Sequence, residues 1–234
     1  MYEKRLRDSL PRVEERIEKA RERAGNGNQV RIVAVTKGHP IAAVRAAVAA
    51  GLRDCGENRV AELDDKVGEL GRDAATWHLI GHLQRNKVRQ AVPLFDVIHS
   101  IDSLRLAREL SSEAQRAGVT VQGLVQVNAS GEETKSGIDI ARDVGPGLEA
   151  IAAICELPGL HITGVMTMAP FDAEESVLRG TFARTRALFE QARSVKNFDA
   201  REVSMGMSND FEIAIEEGST MVRLGTILFG ERVQ

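Results

Sequence analysis

Two periods of apolar positions alternate along this chain. In residues 1–24, Leu6, Leu10, Val13 and Ile17 recur at spacings of four, three and four, with arginines and glutamates between them. This predicts an amphipathic helix packed against a neighbour. Gly25-Asn26-Gly27-Asn28 ends it. It precedes a strand rather than joining a strand to a helix, so it is no dinucleotide-binding fingerprint. Residues 30–35, VRIVAV, form an unbroken β-branched run, which predicts a strand buried on both faces, as in a parallel sheet. Gly38 and Pro40 stop that strand just past Lys37. A helix over 41–50 follows, closed by Gly51. Further strands are predicted near Cys55, with Gly56 as the turn, and over 76–80, 95–101, 121–127, 160–166, 201–204 and 221–224. Helical patterns lie between them, one starting near Asn58, one from about Gln84, and others over 104–117, 140–155, 174–195 and 208–217.

Strand and helix thus alternate eight times without a break, the pattern of βα units on a parallel sheet. Eight units in 234 residues predict one closed (β/α)8 TIM barrel spanning 1–234 rather than an open sheet. The net charge of −3 argues against a general nucleic-acid binder, which carries a basic surplus. Cys55 and Cys155 are too few for a disulfide framework or a thiolate zinc site, so no metal is expected. The charged start MYEKRLRDSL lacks a secretory core, and no run approaches the ~20 apolar residues of a membrane span. A cytoplasmic protein is expected, with the sequon Asn128-Ala129-Ser130 silent.

The carboxyl ends of barrel strands carry the chemistry. Lys37 stands at the first of them. Taken alone, it is either a solvated lysine or an amine whose partial desolvation favours the free base that attacks carbonyls. The same end offers His39, and the others offer Glu57, Asn58, His82, Ser100, Asp102, Asn128, Lys135, Met166, Thr167, Ser204, Gly206, Ser208, Arg223, Gly225 and Thr226. The loops SMGMSND and RLGTILFG follow the last two strands, where such barrels often hold phosphate. Ser208 either caps the following helix or touches phosphate, and Gly225 either makes a turn or lets a phosphate approach. Arg223 lies inside an apolar strand and needs an acceptor, since its charge cannot be shed. That acceptor is a carboxylate or a ligand atom. A carbonyl-seeking lysine, a phosphate cradle and a planar cation together describe a site for pyridoxal 5′-phosphate (PLP).

The motifs AVTKGHP, CGENRVAEL, WHLIGHLQRNK, HSIDS, VNASGEETKSGI, GVMTMAP and SMGMSNDFEIAIEEGSTMVRLGTILFGER resemble the pyridoxal phosphate homeostasis protein family along essentially the whole chain. The resemblance implies an alanine-racemase-like PLP-binding barrel of fold type III. It implies PLP as a covalent aldimine on Lys37, Arg223 facing the pyridine nitrogen, and a phosphate held by Ser204, Gly225, Thr226 and the loop up to Ser208. Asn58 and His82 would line the ring pocket, with Lys135 near the mouth as a second amine. A guanidinium opposite the ring nitrogen keeps that nitrogen unprotonated, because both would otherwise be donors, and so weakens PLP as an electron sink. The only tyrosine, Tyr2, belongs to the first helix, so the second acid–base group of a two-base racemase is missing. The expectation is therefore a non-catalytic, monomeric PLP carrier in vitamin B6 homeostasis, which releases PLP to an amine or to a PLP-requiring apo-enzyme. The rivals are a PLP-dependent racemase or lyase, and a sugar-phosphate barrel enzyme that uses Lys37 on another carbonyl.

Overall fold

The structure, a computed structural model, describes residues 1–25 and 27–231. Eight parallel strands close on themselves: β1 (Arg31–Val35), β2 (Asp54–Glu57), β3 (Thr76–Leu79), β4 (Val97–Ile101), β5 (Val121–Asn128), β7 (Leu160–Met166), β8 (Glu202–Met207) and β9 (Met221–Leu224). β1 pairs with both β2 and β9, and β4 pairs with β5, so no edge is left. Closure removes the unpaired N–H and C=O groups of an open sheet. The expected (β/α)8 barrel is therefore the observed one. A two-residue strand, β6 (Ile138–Asp139), adds to β5 outside the barrel.

The helices are α1 (Tyr2–Ala24), α2 (Ile41–Ala49), α3 (Val60–Leu70), α4 (Val88–Ala91), α5 (Leu104–Ala117), α6 (Gly145–Cys155), α7 (Glu175–Ala192), α8 (Phe211–Glu216) and α9 (Thr226–Phe229). α1 buries Leu6, Leu10, Val13, Ile17 and Ala20, the stripe its spacing predicts, and packs on α2, α8 and α9. Three helices differ from expectation. α6 starts at Gly145 rather than at 140, because 138–139 pair with β5 and the Ile140 N–H donates to the Asn128 carbonyl at 3.0 Å. The helix expected from Gln84 is a 3₁₀ turn over Arg85–Lys87 followed by the short α4, which stops two residues before Pro93. α8 starts at Phe211, with Asp210 at its N-cap. No helix among the described residues is long and apolar enough to cross a membrane.

Alternation along the strands sorts their side chains. Ala34, Cys55, Trp77, Leu79, Ile98, Val125, Val165, Val203, Val222 and Leu224 join the helices in the main apolar core. The opposite set faces the barrel axis. It includes a small apolar cluster of Val97, Leu124 and Met166, but also the buried polar groups His78, His99, Ser204 and Arg223. The barrel interior is thus partly polar, where branched aliphatics usually dominate.

Candidate functional site

β1 delivers Lys37 two residues past its end, in a turn held from three sides. The Thr36 N–H donates to Gly56 at 3.0 Å, and the His39 N–H donates back to Thr36 at 3.1 Å. Gly38 takes the left-handed φ of 68°, which a side chain would strain. Its N–H donates to the Glu62 carboxylate at 2.5 Å. Lys66, only 6% exposed, donates to the Thr36 carbonyl (2.9 Å), to Glu57 (2.6 Å) and to Glu62 (3.0 Å), and the Thr36 hydroxyl donates to Glu57. Burial pushes the Glu57 carboxyl up to about 7, against the pull of Lys66. Lys37 itself is half-buried. Two residues further on, the Tyr2 hydroxyl pairs with His39 Nδ1 at 3.2 Å, and both rings pack on Phe229. Helix α1 thus brings the chain's tyrosine to the Lys37 turn, a contact its sequence position did not suggest.

Arg223 is 4% exposed. Nη1 donates to the Ser204 hydroxyl (2.7 Å) and carbonyl (2.8 Å), and Nη2 donates to the Thr167 carbonyl (2.8 Å). Among the described residues no carboxylate lies within ion-pair distance of it. Burial lowers its pKa to about 10, with Asp210 the one opposing charge. Of the two acceptors open to Arg223, the carboxylate is absent and neutral oxygens take its place.

Gly225 follows β9, and a Cβ on it would lie 3.3 Å from the Val35 Cβ, so the loop after β9 rests directly against the end of β1. Thr226 is exposed beside it. Ser208 does not cap α8. Its hydroxyl instead accepts from the Ile227 N–H at 3.4 Å, and Asp210 accepts from the Met207 N–H at 2.5 Å. That link ties the loop after β8 to the loop after β9. Lys37, Ser204, Ser208, Arg223, Gly225 and Thr226 therefore belong to the adjoining ends of β1, β9 and β8.

Asn58 directly follows β2, which pairs with β1, and His82 lies three residues past β3. They line a groove of about 420 Å³ with Arg59, Gln84 and Lys87, and neither Lys37 nor Arg223 borders it. The His82 side chain is 59% exposed, with Nδ1 3.0 Å from Asp102. Lys135 pairs with Glu132 and donates to the Met168 carbonyl at 3.4 Å, bridging the loops after β5 and β7. Cys55 is buried, and burial lifts its thiol to about 12, so it stays protonated and inert. Two clusters escaped the sequence reading. One is Glu57–Lys66, and the other is the line of Asp54, His78 and His99 behind Ser204. The only local signal for the second was a histidine in each of two neighbouring apolar strands.

Among known proteins, the family described as alanine racemase, N-terminal domain, matches residues 9–233. A pyridoxal phosphate homeostasis protein of Aquifex aeolicus is 39% identical over 226 residues, covering 96% of this chain and 97% of that one. A crystal structure of an unknown protein from Bifidobacterium adolescentis superposes with a TM-score of 0.88 at 38% identity, covering 97% of this chain and 96% of that one. PipY of Synechococcus elongatus, solved with PLP bound, superposes with a TM-score of 0.78 at 37% identity, covering 86% and 92%. By these matches, which span nearly its whole length, the chain belongs to the pyridoxal phosphate homeostasis proteins, built on the fold of the alanine racemase N-terminal domain.

Proposed function

We propose that this chain binds PLP at the barrel mouth, with the Lys37 amine as its covalent anchor, and serves PLP homeostasis rather than amino-acid turnover. The observation that carries this reading is Arg223, a buried cation with no carboxylate partner among the described residues, on a strand beside the one that delivers Lys37. A pyridine nitrogen is a neutral acceptor and fits the unused donor capacity of such a guanidinium. PLP supplies an aldehyde that condenses reversibly with amines and a ring that withdraws electrons from them. Ser208, Gly225 and Thr226 offer hydroxyls and backbone N–H groups to its phosphate, with Ser204 fixing the arginine. Asn58 and His82 would line the ring from the ends of β2 and β3, and Lys135 would stand as a second amine on the rim. The names of the relatives and the PLP-bound PipY structure support the reading.

The same arginine supports the homeostatic role. A guanidinium donates to the ring nitrogen and leaves it unprotonated, so the ring is a weak electron sink. This favours storage and release over carbanion chemistry. We place the protein in the cytoplasm as a monomer that yields PLP to amines or apo-enzymes.

The test is the visible spectrum of the purified protein with PLP, with and without borohydride, beside Lys37→Ala. A yellow band that borohydride bleaches and traps on the Lys37 peptide supports the site. A protein that gains no band with added PLP overturns it. Solvent deuterium appearing at Cα of an amino acid, and lost in Lys37→Ala, would replace the carrier role with a racemase or lyase.

A further inference from the structure

A continuous line of hydrogen bonds crosses the barrel interior behind Arg223. Asp54, at the start of β2, lies 2.8 Å from His78 Nε2 on β3. His78 Nδ1 lies 2.8 Å from His99 Nε2 on β4. His99 Nδ1 lies 3.1 Å from the Ser204 hydroxyl on β8, and that hydroxyl lies 2.7 Å from Arg223 Nη1 on β9. The four intermediate and terminal groups on β3, β4, β8 and β9 are all buried.

Donor and acceptor chemistry gives this line one direction. The Asp54 carboxylate only accepts, so His78 Nε2 carries the proton and its Nδ1 accepts. His99 Nε2 is then the donor, and its Nδ1 accepts the Ser204 O–H. That leaves the Ser204 lone pairs for the guanidinium, which only donates. The opposite arrangement needs an imidazolium at His78 and an Nδ1–H at His99. Ser204 would then receive donors from both sides and its own proton would have no acceptor. It would also add a cation to an interior that already holds Arg223. Behind the line, Arg31 pairs with Glu202 and approaches Asp54 at 3.6 Å, so the carboxylate that anchors it is itself held.

We propose that Asp54, His78, His99 and Ser204 form a one-way hydrogen-bond relay that positions the Arg223 guanidinium from behind and presents its free edge to the barrel mouth. The relay supplies what the missing carboxylate would: a polarised acceptor for a buried cation, with the formal negative charge kept at the far end of the barrel. Hydrogen bonds in such a chain polarise and strengthen one another inside a low-dielectric core, and a break leaves a costly unpaired polar group. Asp54, His78 and His99 are positioning residues that act through Ser204. The inference rests on the PLP reading only for what Arg223 faces.

The test has two arms on the full chain. Nitrogen NMR of the imidazole rings without PLP reads the tautomers: neutral Nε2–H rings at both His78 and His99 support the relay, and an Nδ1–H at His99 or a charged His78 overturns it. PLP titration then compares wild type with His99→Leu, which cuts the line, and with Asp54→Asn, which keeps the shape and removes the charge. A Kd raised about tenfold, with a displaced absorption maximum and an intact cooperative melt, is expected for the cut. A Kd within twofold and an unmoved band would overturn positioning. If His99→Leu does not fold, Asp54→Asn decides by the same readouts. If the wild type binds no PLP, the functional reading falls and the ring tautomers alone judge the relay.

Discussion

The Lys66 ammonium lies 2.9 Å from the carbonyl oxygen of Thr36, the residue immediately before Lys37. Through Glu62 the same ammonium reaches the N–H of Gly38, the residue immediately after. A buried ion cluster therefore grips the backbone on both sides of the candidate anchor. Removing one partner of a buried pair leaves the other charge uncompensated, typically at a cost of 3–5 kcal/mol. Lys66→Met should destabilise the protein by about that amount in urea unfolding. Adding Glu57→Gln should recover part of the loss, because the stranded carboxylate is gone. Equal stability in the single and double variants would show that the pair is not coupled.

Arg223→Lys keeps the charge and discards the fork. A lysine reaches fewer of the three oxygens that Arg223 engages at once. Each buried acceptor left unmade costs about 1–3 kcal/mol. The variant should melt lower and bind PLP at least tenfold more weakly. Unchanged melting and PLP affinity would show that the planar geometry is unimportant.

His99 links stability to pH. Burial, helped by the nearby guanidinium of Arg223, holds its pKa well below the ordinary value. The native ring stays neutral, while the unfolded ring takes up a proton as pH falls through about 6.5. The unfolded state then binds more protons, so stability falls on acidification. The slope approaches about 1.4 kcal/mol per pH unit below that point. His99→Gln should show a shallower fall than wild type over the same range in chemical unfolding. Parallel curves would mean that His99 does not titrate on unfolding.

Gly81 sets the fit between the loops that carry Asn58 and His82. A Cβ there would stand 2.5 Å from the Asn58 carbonyl oxygen, a backbone atom with little room to yield. Gly81→Ala should cost about 1–3 kcal/mol, as overpacking does. At about 2–4 °C per kcal/mol for a domain of this size, calorimetry resolves the loss. A melt matching wild type would mean that the two loops move apart freely.

Lys37 and Arg223 stand out in the sequence as candidates because each is a charge set against an apolar strand, and no neighbour in the sequence explains it. Ser208 was legible only as one of two things. Its hydroxyl meets Ile227, 19 residues away, and nothing near 208 announces that contact. The start of α6 was misplaced for a related reason: residues 138–139 pair with β5, and a two-residue strand leaves no period to read.

What the sequence by itself determined was the alternation of periods. That alternation gives eight βα units and a barrel, and it brings the strand ends to one face. It did so because apolar period reports burial, and burial is what local spacing encodes. The relay behind Arg223 was decided by tertiary structure alone. Its bonds join residues 24, 21, 105 and 19 positions apart, from Asp54 to His78, His99, Ser204 and Arg223 in turn. Barrel closure and strand register bring those residues to one line, and polar contacts of that reach leave no period in the sequence.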